Sequence, residues 1–248
     1  MESLEWLMCH GDEWQEAVER AASLLLHDYR TRWPDMLFVN LYRLAATLDA
    51  RIAVVRDLKD GARLLPVQGG FRVLVKETLP RARFRFSVAH ELAHTLFYSR
   101  NKDIPQQLQV PTKNEELFCC DVARRVLAPA WLVDACGLKE MENGKDVFAK
   151  LTDPTGSFRL SKPLAARVML ADYRLAKGVG GLWIKNGGVW KQKAGMAYAT
   201  QGLGERQRKL LRAMAQFWLK NRKEPPGFQI IGSDEVPDES SFVVVLQQ

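Results

Sequence analysis

The sequence lacks any hydrophobic run of the roughly 18 residues that a membrane-spanning helix requires. Its first residues, MESLEWLMCHGDEWQE, are acidic where an export signal would be basic. Cysteine is also scarce, and because two of the four cysteines are adjacent, we expect no disulfide framework. The four are Cys9, Cys119, Cys120 and Cys136. These absences predict a protein of the reducing cytoplasm that has no membrane partner.

Internal repeats and low-complexity segments are also missing, which argues against a repeat array or a fibrous chain. Apolar residues make up 47% of the chain and charged residues 26%, and these proportions argue against disorder and are typical of a globular protein. A chain of 248 residues is long enough to bury a core without disulfides or metal ions as supports. We therefore expect one sizeable domain, alone or with a small second one.

The spacing of apolar residues predicts an α+β fold. Two amphipathic helices come first, and three short runs rich in β-branched residues follow at 51–55, 62–67 and 71–76. These runs predict a small antiparallel sheet, with Pro66 placing its strand at an edge or a bulge. The segment FRFSVAHELAHTLFYS (84–99) is apolar almost throughout, which indicates a buried helix, and further helices are expected to about residue 177.

The composition changes near residue 177, where the chain is predicted to form a small β-β-α-β-β unit. Asn186 and Gly187 favour a tight hairpin turn between the first two strands. A helix follows, and we expect an inward-facing stripe made of Leu203, Leu210, Leu211, Met214, Phe217 and Trp218. The sequence thus predicts two domains, residues 1–176 and residues 177–248.

Two of the four histidines lie in one short motif, His90-Glu91-Leu92-Ala93-His94. Positions i and i+4 of a helix project from the same face, so both imidazoles can reach a single cation. Glu91 can then take a proton from a water molecule on the open side of that cation. Zinc is the metal that these ligand types favour. The alternative is an ordinary helix with two packed histidines, but imidazoles within an apolar helix would need other partners.

A third protein ligand is required if one metal position is to remain open to water. His10 and His27 lie upstream, on or near the first helix, and we expect them to be packing or surface residues. The helix that follows the motif offers Glu115, Glu116 and Asp121, and the two glutamates flank its expected buried face on opposite sides. Helical periodicity alone does not separate these two glutamates.

The same downstream helix is expected to have one polar and one apolar face. Asp121, Arg124 and Arg125 form the expected polar face. Cys119 and Cys120 could in principle donate thiolates to a metal, but small apolar filler is the expected role of both.

Two segments resemble the ImmA/IrrE metallo-endopeptidases, a family with gluzincin-like zinc sites. RFSVAHELAH (85–94) is similar to the family's R-F-[ST]-x-A-H-E-[LI]-x-H. ELFCCDVARRVLAP (116–129) is similar to its E-x-x-A-N-x-F-A-x-x-L-L-x-P helix, with Cys119 and Cys120 in place of Ala-Asn. FRLSKPLAARV (158–168) resembles a later element more faintly, so that the resemblance spans about residues 35–175.

This resemblance implies a helical, zincin-like core in which His90, His94 and Glu116 bind zinc and Glu91 acts as the base. Glu115 stays open as the third ligand, because an N-E-x-x-x pattern like that of thermolysin-type enzymes would favour it. The resemblance also implies a cytoplasmic protease of narrow specificity. Its implied substrate is a helix-turn-helix repressor, whose cleavage would release stress-response, mobile-element or phage genes.

Four other residues near the motif have two interpretations each. Arg81, Arg83 and Arg85 are expected to be solvated charge before the motif, with a grip on an acidic substrate as the alternative. Tyr98 lies one turn beyond His94, where its hydroxyl could donate to an oxyanion. A core aromatic residue would occupy the same position, and we expect that role instead.

The basic character of the protein is concentrated between residues 177 and 223. This segment holds eleven Lys and Arg residues against one acid, Glu205, whereas the whole chain has a net charge of +7. Such a segment suits contact with DNA or an acidic protein, or else a simply solvated surface. Two rivals to a protease follow: a DNA-binding regulator in which zinc is structural, and a regulatory protein whose activity depends on a partner.

Overall fold

The computed structural model describes residues 11–99, 103–108, 110, 112–186, 189–200, 203–221, 223, 227–232 and 240–247. The chain divides into two compact units, Met1–Leu132 and Val133–Gln248. Helices and small sheets occur in both, which confirms the predicted α+β class. The predicted domain boundary at 176/177 falls within the second unit, immediately before a strand, and stays a prediction. Within the described ranges, no helix combines the length and apolar character needed to cross a bilayer.

The first unit is built from helices around a small sheet. Its helices are α1 (Gly11–Arg32), α2 (Leu41–Thr47), α3 (Arg81–His94) and α4 (Lys113–Leu127). Its strands are β1 (Ala50–Val55), β2 (Ala62–Val67), β3 (Gly70–Lys76) and the short pair β4 (Tyr98–Ser99) and β5 (Gln106–Gln107). Helix α3 packs against α4 on one side and against β2 and β3 on another.

The three-stranded sheet is mixed, so the prediction of a purely antiparallel sheet was wrong in one pairing. The strand order is β1-β3-β2, with β2 antiparallel and β1 parallel to β3. Because β3 lies between β1 and β2, those two strands are not neighbours. Pro66 lies in β2, an edge strand of the described sheet, as predicted.

Helix α4 is buried throughout its C-terminal half, which corrects the polar face expected for it. Asp121, Arg124 and Arg125 are only 8%, 3% and 8% exposed. Helix α1 covers them: the Trp14 indole N–H donates to Asp121 Oδ2 at 3.0 Å, and Arg125 Nε lies 3.1 Å from Glu19 Oε2. Asp121 also pairs with Arg124. The buried polar groups of α4 thus contact α1 and one another.

The second unit contains short helices and a four-stranded antiparallel sheet. Helix α5 (Ala130–Ala135) crosses from the first unit, and α6 (Gly144–Thr152) and α7 (Lys162–Arg167) follow, with a π-helical turn at Val168–Asp172. Strands β6 (Gly178–Asn186), β7 (Val189–Ala199), β8 (Phe228–Gly232) and β9 (Ser240–Gln247) form the sheet in the order β7-β6-β9-β8. Helix α8 (Glu205–Asn221) packs on β6 and β9.

The β-β-α-β-β order predicted for the C-terminal part is confirmed. Asn186 pairs with Val189 across the hairpin, and the predicted turn residue Gly187 lies outside the described residues. Leu211 and Trp218 are buried in the core of this unit, as expected, but Leu210 is 49% exposed and does not belong to the inward stripe. The Phe217 side chain is also not among those that the structure describes.

Candidate metal centre

Helix α3 carries the motif histidines at the margin of the core. Its inward face is fully buried and consists of Val88, Ala89, Leu92 and Ala93. The His90 and His94 side chains flank that face and remain 13% and 12% exposed. Anchoring the helix by its apolar face therefore fixes both imidazoles beside one another at the surface of the core.

The first turn of α4 supplies the acids. Thr112 caps the helix by accepting a hydrogen bond from the Glu115 backbone N–H at 3.1 Å. Glutamates are favoured there, because the first turn carries the positive end of the helix dipole. Adjacent positions point in different directions around the helix, so the Glu115 side chain is 1% exposed and that of Glu116 is 57% exposed.

Three side chains converge between the two helices. His90 Nε2 lies 3.1 Å from His94 Nε2 and 3.1 Å from Glu116 Oε2, and His94 Nε2 lies 3.5 Å from Glu116 Oε1. The candidate ligand atoms of these residues all lie within 4.8 Å of one another, so His90, His94 and Glu116 form a group that could hold a metal ion. We call this group the His-His-Glu cluster.

Electrostatics favour the neutral, ligand form of His90. Burial lowers its pKa, and positive charge on His94 lowers it further. The Glu116 carboxylate acts in the opposite direction through its charge and its hydrogen bond. The net direction is downward, toward the unprotonated imidazole that can bind a cation.

Glu91 lies beside the cluster and is half-buried. Burial raises its pKa, and the neighbouring Glu116 carboxylate adds to that rise. Three groups oppose it: the charge on His94, a hydrogen bond from the backbone of Leu64 on β2, and the charge on Arg63. Glu91 is thus a carboxyl group with an elevated pKa adjoining the candidate ligands.

Glu115 makes a different contact from its neighbour. Its Oε1 lies 2.8 Å from His94 Nδ1, the ring nitrogen on the far side from the His-His-Glu cluster. Glu116 therefore lies with the Nε2 atoms of His90 and His94, whereas Glu115 lies on the Nδ1 side of His94. Helical periodicity did not separate Glu115 from Glu116, but in the structure the two differ in burial and in the histidine nitrogen that each contacts.

The two adjacent cysteines also differ. Cys119 is fully buried, and burial, followed by the nearby Glu115 and Glu116 carboxylates, strongly raises the pKa of its thiol, which suits the expected packing role. Cys120 Sγ instead lies 3.5 Å from His90 Nδ1, a contact that sequence reasoning missed. The available signal was its position one helical turn after Glu116, which puts both residues on one side of α4.

The remaining candidates near the motif take mostly structural positions. Arg85 is buried, and its guanidinium contacts the Val39 carbonyl oxygen at 3.4 Å, whereas Arg81 and Arg83 are exposed. Tyr98 is half-buried with its ring edge-on to Phe71 at 5.3 Å. Burial raises the Tyr98 pKa, and the Glu115 and Glu91 charges raise it further, so its hydroxyl stays protonated.

Of the two upstream histidines, His27 is described by the structure and does not join the cluster. His27 is exposed on α1, in agreement with its expected surface role. His10 lies outside the described residues.

No protein-family model matches the chain, and no curated protein sequence matches it. Among solved structures, a Mycobacterium tuberculosis transcriptional regulator aligns with 96% of this chain and 76% of that chain, at 13% identity and a TM-score of 0.49. A likeness at that level carries no functional argument. The resemblance to ImmA/IrrE metallo-endopeptidases therefore rests on the sequence motifs alone.

Proposed function

We propose that this chain is a zinc-dependent endopeptidase of narrow specificity. The observation that carries the proposal is the His-His-Glu cluster, His90, His94 and Glu116, with the Glu91 carboxyl group alongside it. Two ligand histidines, an acidic ligand and a neighbouring carboxylate base are the groups that zinc-assisted hydrolysis requires.

The distances in the cluster support zinc as the metal. Zinc binds histidine nitrogen and carboxylate oxygen at about 2.0–2.2 Å with tetrahedral angles, so its ligand atoms are separated by about 3.3–3.6 Å. The three contacts observed between these donor atoms are 3.1, 3.1 and 3.5 Å. Three protein ligands also leave a fourth tetrahedral position for water or substrate.

The chemistry divides between the metal and Glu91. When bound, zinc would supply Lewis-acid polarisation of the scissile carbonyl and make water more acidic. Glu91 would take the proton from the attacking water and deliver it to the leaving amine.

The outer edge of β2, which pairs with no other described strand, supports a peptide substrate. The Lys76 N–H donates to the Gly61 carbonyl at 3.0 Å, so odd-numbered positions of this strand bond to β3 and even-numbered positions face away. Pro66 fits the outward set, since it has no N–H to donate. The backbone of Leu64 also faces outward, close enough to the Glu91 carboxyl group to lower its pKa. An extended peptide that added to this edge would lie next to the proposed base.

The substrate class is taken from the family resemblance. We propose a helix-turn-helix transcriptional repressor whose cleavage switches on stress, mobile-element or phage genes, in the cytoplasm. The basic segment supports contact with a DNA-bound protein of this kind, because cations attract both phosphate and acidic surfaces.

The decisive experiment replaces the base and leaves the ligands in place. Glu91→Gln keeps the size of the side chain and removes its proton-accepting role, so the variant should retain zinc and cleave at least about a hundredfold more slowly. Glu77→Gln is the matched control, since Glu77 is exposed and pairs with Arg56 at 3.2 Å. Co-expression with repressors encoded nearby, followed by mass mapping of fragments, supplies the assay. Equal cleavage by parent and Glu91→Gln would refute the proposed mechanism.

A DNA-binding regulator is the second candidate. Arg206, Lys209 and Arg212 are exposed on α8. They belong to the segment 177–223, which contains eleven Lys and Arg residues and one acidic residue. In that case zinc would be structural, and the protein would bind duplex DNA with an affinity that falls steeply as salt rises. Zinc-loaded protein that binds DNA in this way and leaves every tested repressor intact would favour the regulator.

A further inference from the structure

A buried carboxylate lies directly behind one of the proposed ligand histidines. The Glu115 side chain is 1% exposed, and its Oε1 is 2.8 Å from His94 Nδ1. Among the described residues, its other oxygen, Oε2, is buried without a hydrogen-bond partner. His94 is thus the neighbour to which this carboxylate makes its short side-chain contact.

Such an arrangement needs a compensating interaction. Taking a carboxylate out of water is unfavourable unless it is paired or hydrogen-bonded, and here one of its two oxygens lacks a partner within the described chain. An apolar residue at position 115 would fill the same space in α4 without that cost. The contact with the His94 imidazole is therefore the interaction that compensates for the burial of Glu115.

We propose that Glu115 is a positioning residue for His94. By accepting a hydrogen bond from Nδ1–H, it holds the tautomer in which the Nε2 lone pair points at His90 and Glu116. A carboxylate in this place also fixes the ring plane and makes the opposite nitrogen a stronger donor to a metal. This inference rests on the proposed function, because it assigns Glu115 a role toward the same zinc ion.

The two ligand histidines differ in what lies behind them. Against His90 Nδ1 stands Cys120 Sγ at 3.5 Å, and sulfur is a much weaker hydrogen-bond acceptor than a carboxylate. A strong acceptor therefore orients the His94 ring but not the His90 ring. The strong acceptor at Nδ1 therefore distinguishes His94 from His90, and a change at position 115 acts first on His94.

The tautomer can be measured without any metal. In metal-free protein at alkaline pH, nitrogen-15 correlation spectra should show His94 protonated at Nδ1, with the signals assigned by His94→Ala. Glu115→Leu fills the space without an acceptor and should shift His94 toward the Nε2–H tautomer, whereas Glu115→Gln, whose amide oxygen still accepts, should restore Nδ1–H. If Glu115→Leu does not fold, Glu115→Ala tests the same point. A His94 tautomer unchanged in the apolar variant overturns the inference.

Zinc affinity, measured by competition with a chelator, gives the second readout. We expect Glu115→Leu to bind Zn²⁺ about 10–100-fold more weakly and Glu115→Gln to recover most of the loss. Val122→Ala is the control for a loosened helix, because Val122 is fully buried in α4, and it should bind zinc like the parent. An equal loss in Val122→Ala would overturn the positioning role.

The outcomes separate this inference from the proposed function. Parent protein that binds no zinc would refute the proposed function, while the tautomer measurement would still decide the role of Glu115. Complete loss of zinc in Glu115→Leu and Glu115→Gln, together with full retention in Glu116→Ala, would make Glu115 a direct ligand and overturn the inference.

Discussion

Helices α3 and α8 both carry several ionisable side chains, but they hold them in opposite ways. On α3, His90 and His94 are mostly buried, and each contacts a group from another helix, Glu116 or Glu115. On α8, Lys209 pairs with Glu205 of the same helix at 3.0 Å, and those side chains are 73% and 80% exposed. Exposed pairs of that kind add little to stability.

The difference separates a candidate site from a charged surface. Partly desolvated groups held by two different elements interact strongly and keep a fixed geometry, so burial perturbs their pKa values, as it does for His90 and Glu91. Cations on a solvated helix act instead through their summed field, which salt screens. Chemistry is therefore expected on α3, and long-range attraction on α8.

The largest expected effect is loss of metal from α3. Parent protein should carry about one zinc per chain, and His94→Ala should lose essentially all of it because two protein ligands hold zinc far less tightly than three. His27→Ala is the matched control, since His27 is exposed on α1. Elemental analysis after gel filtration measures the content. Full zinc occupancy in His94→Ala, or an equal loss of zinc in His27→Ala, would contradict the assignment of the metal site to α3.

The next effect concerns what anchors α8, which is its apolar rather than its charged side. Trp218 is 8% exposed and packs so closely on Gly232 that a Cβ at position 232 would collide with the indole. Trp218→Ala should lower the free energy of unfolding by about 3–5 kcal/mol. Leu210→Ala, on the exposed side, should change it by no more than about 0.5 kcal/mol. Urea denaturation compares them, and similar losses would contradict the packing described.

A smaller effect tests burial beside the proposed site. The pKa of the Cys119 thiol is raised, so its reactive thiolate is depleted at neutral pH, and the residue is fully buried. Cys120 is only half-buried. Iodoacetamide should therefore label Cys120 at least about tenfold faster than Cys119 in folded protein. Peptide mass spectrometry over time reads the ratio, with urea-unfolded protein as the reference. Faster labelling of Cys119 would show that α4 is packed differently.

The sequence predicts features that depend on residues close together in the chain, and it does not predict those that depend on contacts between distant elements. The i, i+4 spacing of His90 and His94 lies within one helix, so periodicity alone places both rings on one face. The choice between Glu115 and Glu116 depends on the rotation of α4 against α3, which a single helix does not encode. The buried Asp121 likewise depends on Trp14, more than a hundred residues away in the chain.

The sheet and the α8 stripe show the same limit. Strand positions follow from short β-branched runs, but the parallel pairing of β1 with β3 depends on which strand returns to the centre. The exposure of Leu210 reflects a helix whose buried arc is narrower than its apolar composition suggests. In both cases the contact partner, rather than the local pattern, decides the outcome.

The smallest effect on the protein itself should come from removing charge from α8. Arg206, Lys209 and Arg212 are exposed, so changing all three to Gln should shift the free energy of unfolding by no more than about 0.5 kcal/mol and leave zinc content unchanged. Association with a repressor–DNA complex should slow at low ionic strength and match the parent at high salt, because only screened, long-range attraction has been removed. Stopped-flow binding across a salt series measures this.

Net charge is controlled by an equivalent change in the first unit. Arg51, Arg56 and Arg72 are exposed on its sheet, and changing them to Gln removes the same three positive charges. If attraction is a property of the α8 surface, this control variant should associate at nearly the parent rate, since charges more than about 10 Å from the contact are screened at ordinary ionic strength. Equal slowing in both variants would mean that overall charge drives encounter, and α8 would then differ from the rest of the surface only in how many cations it carries.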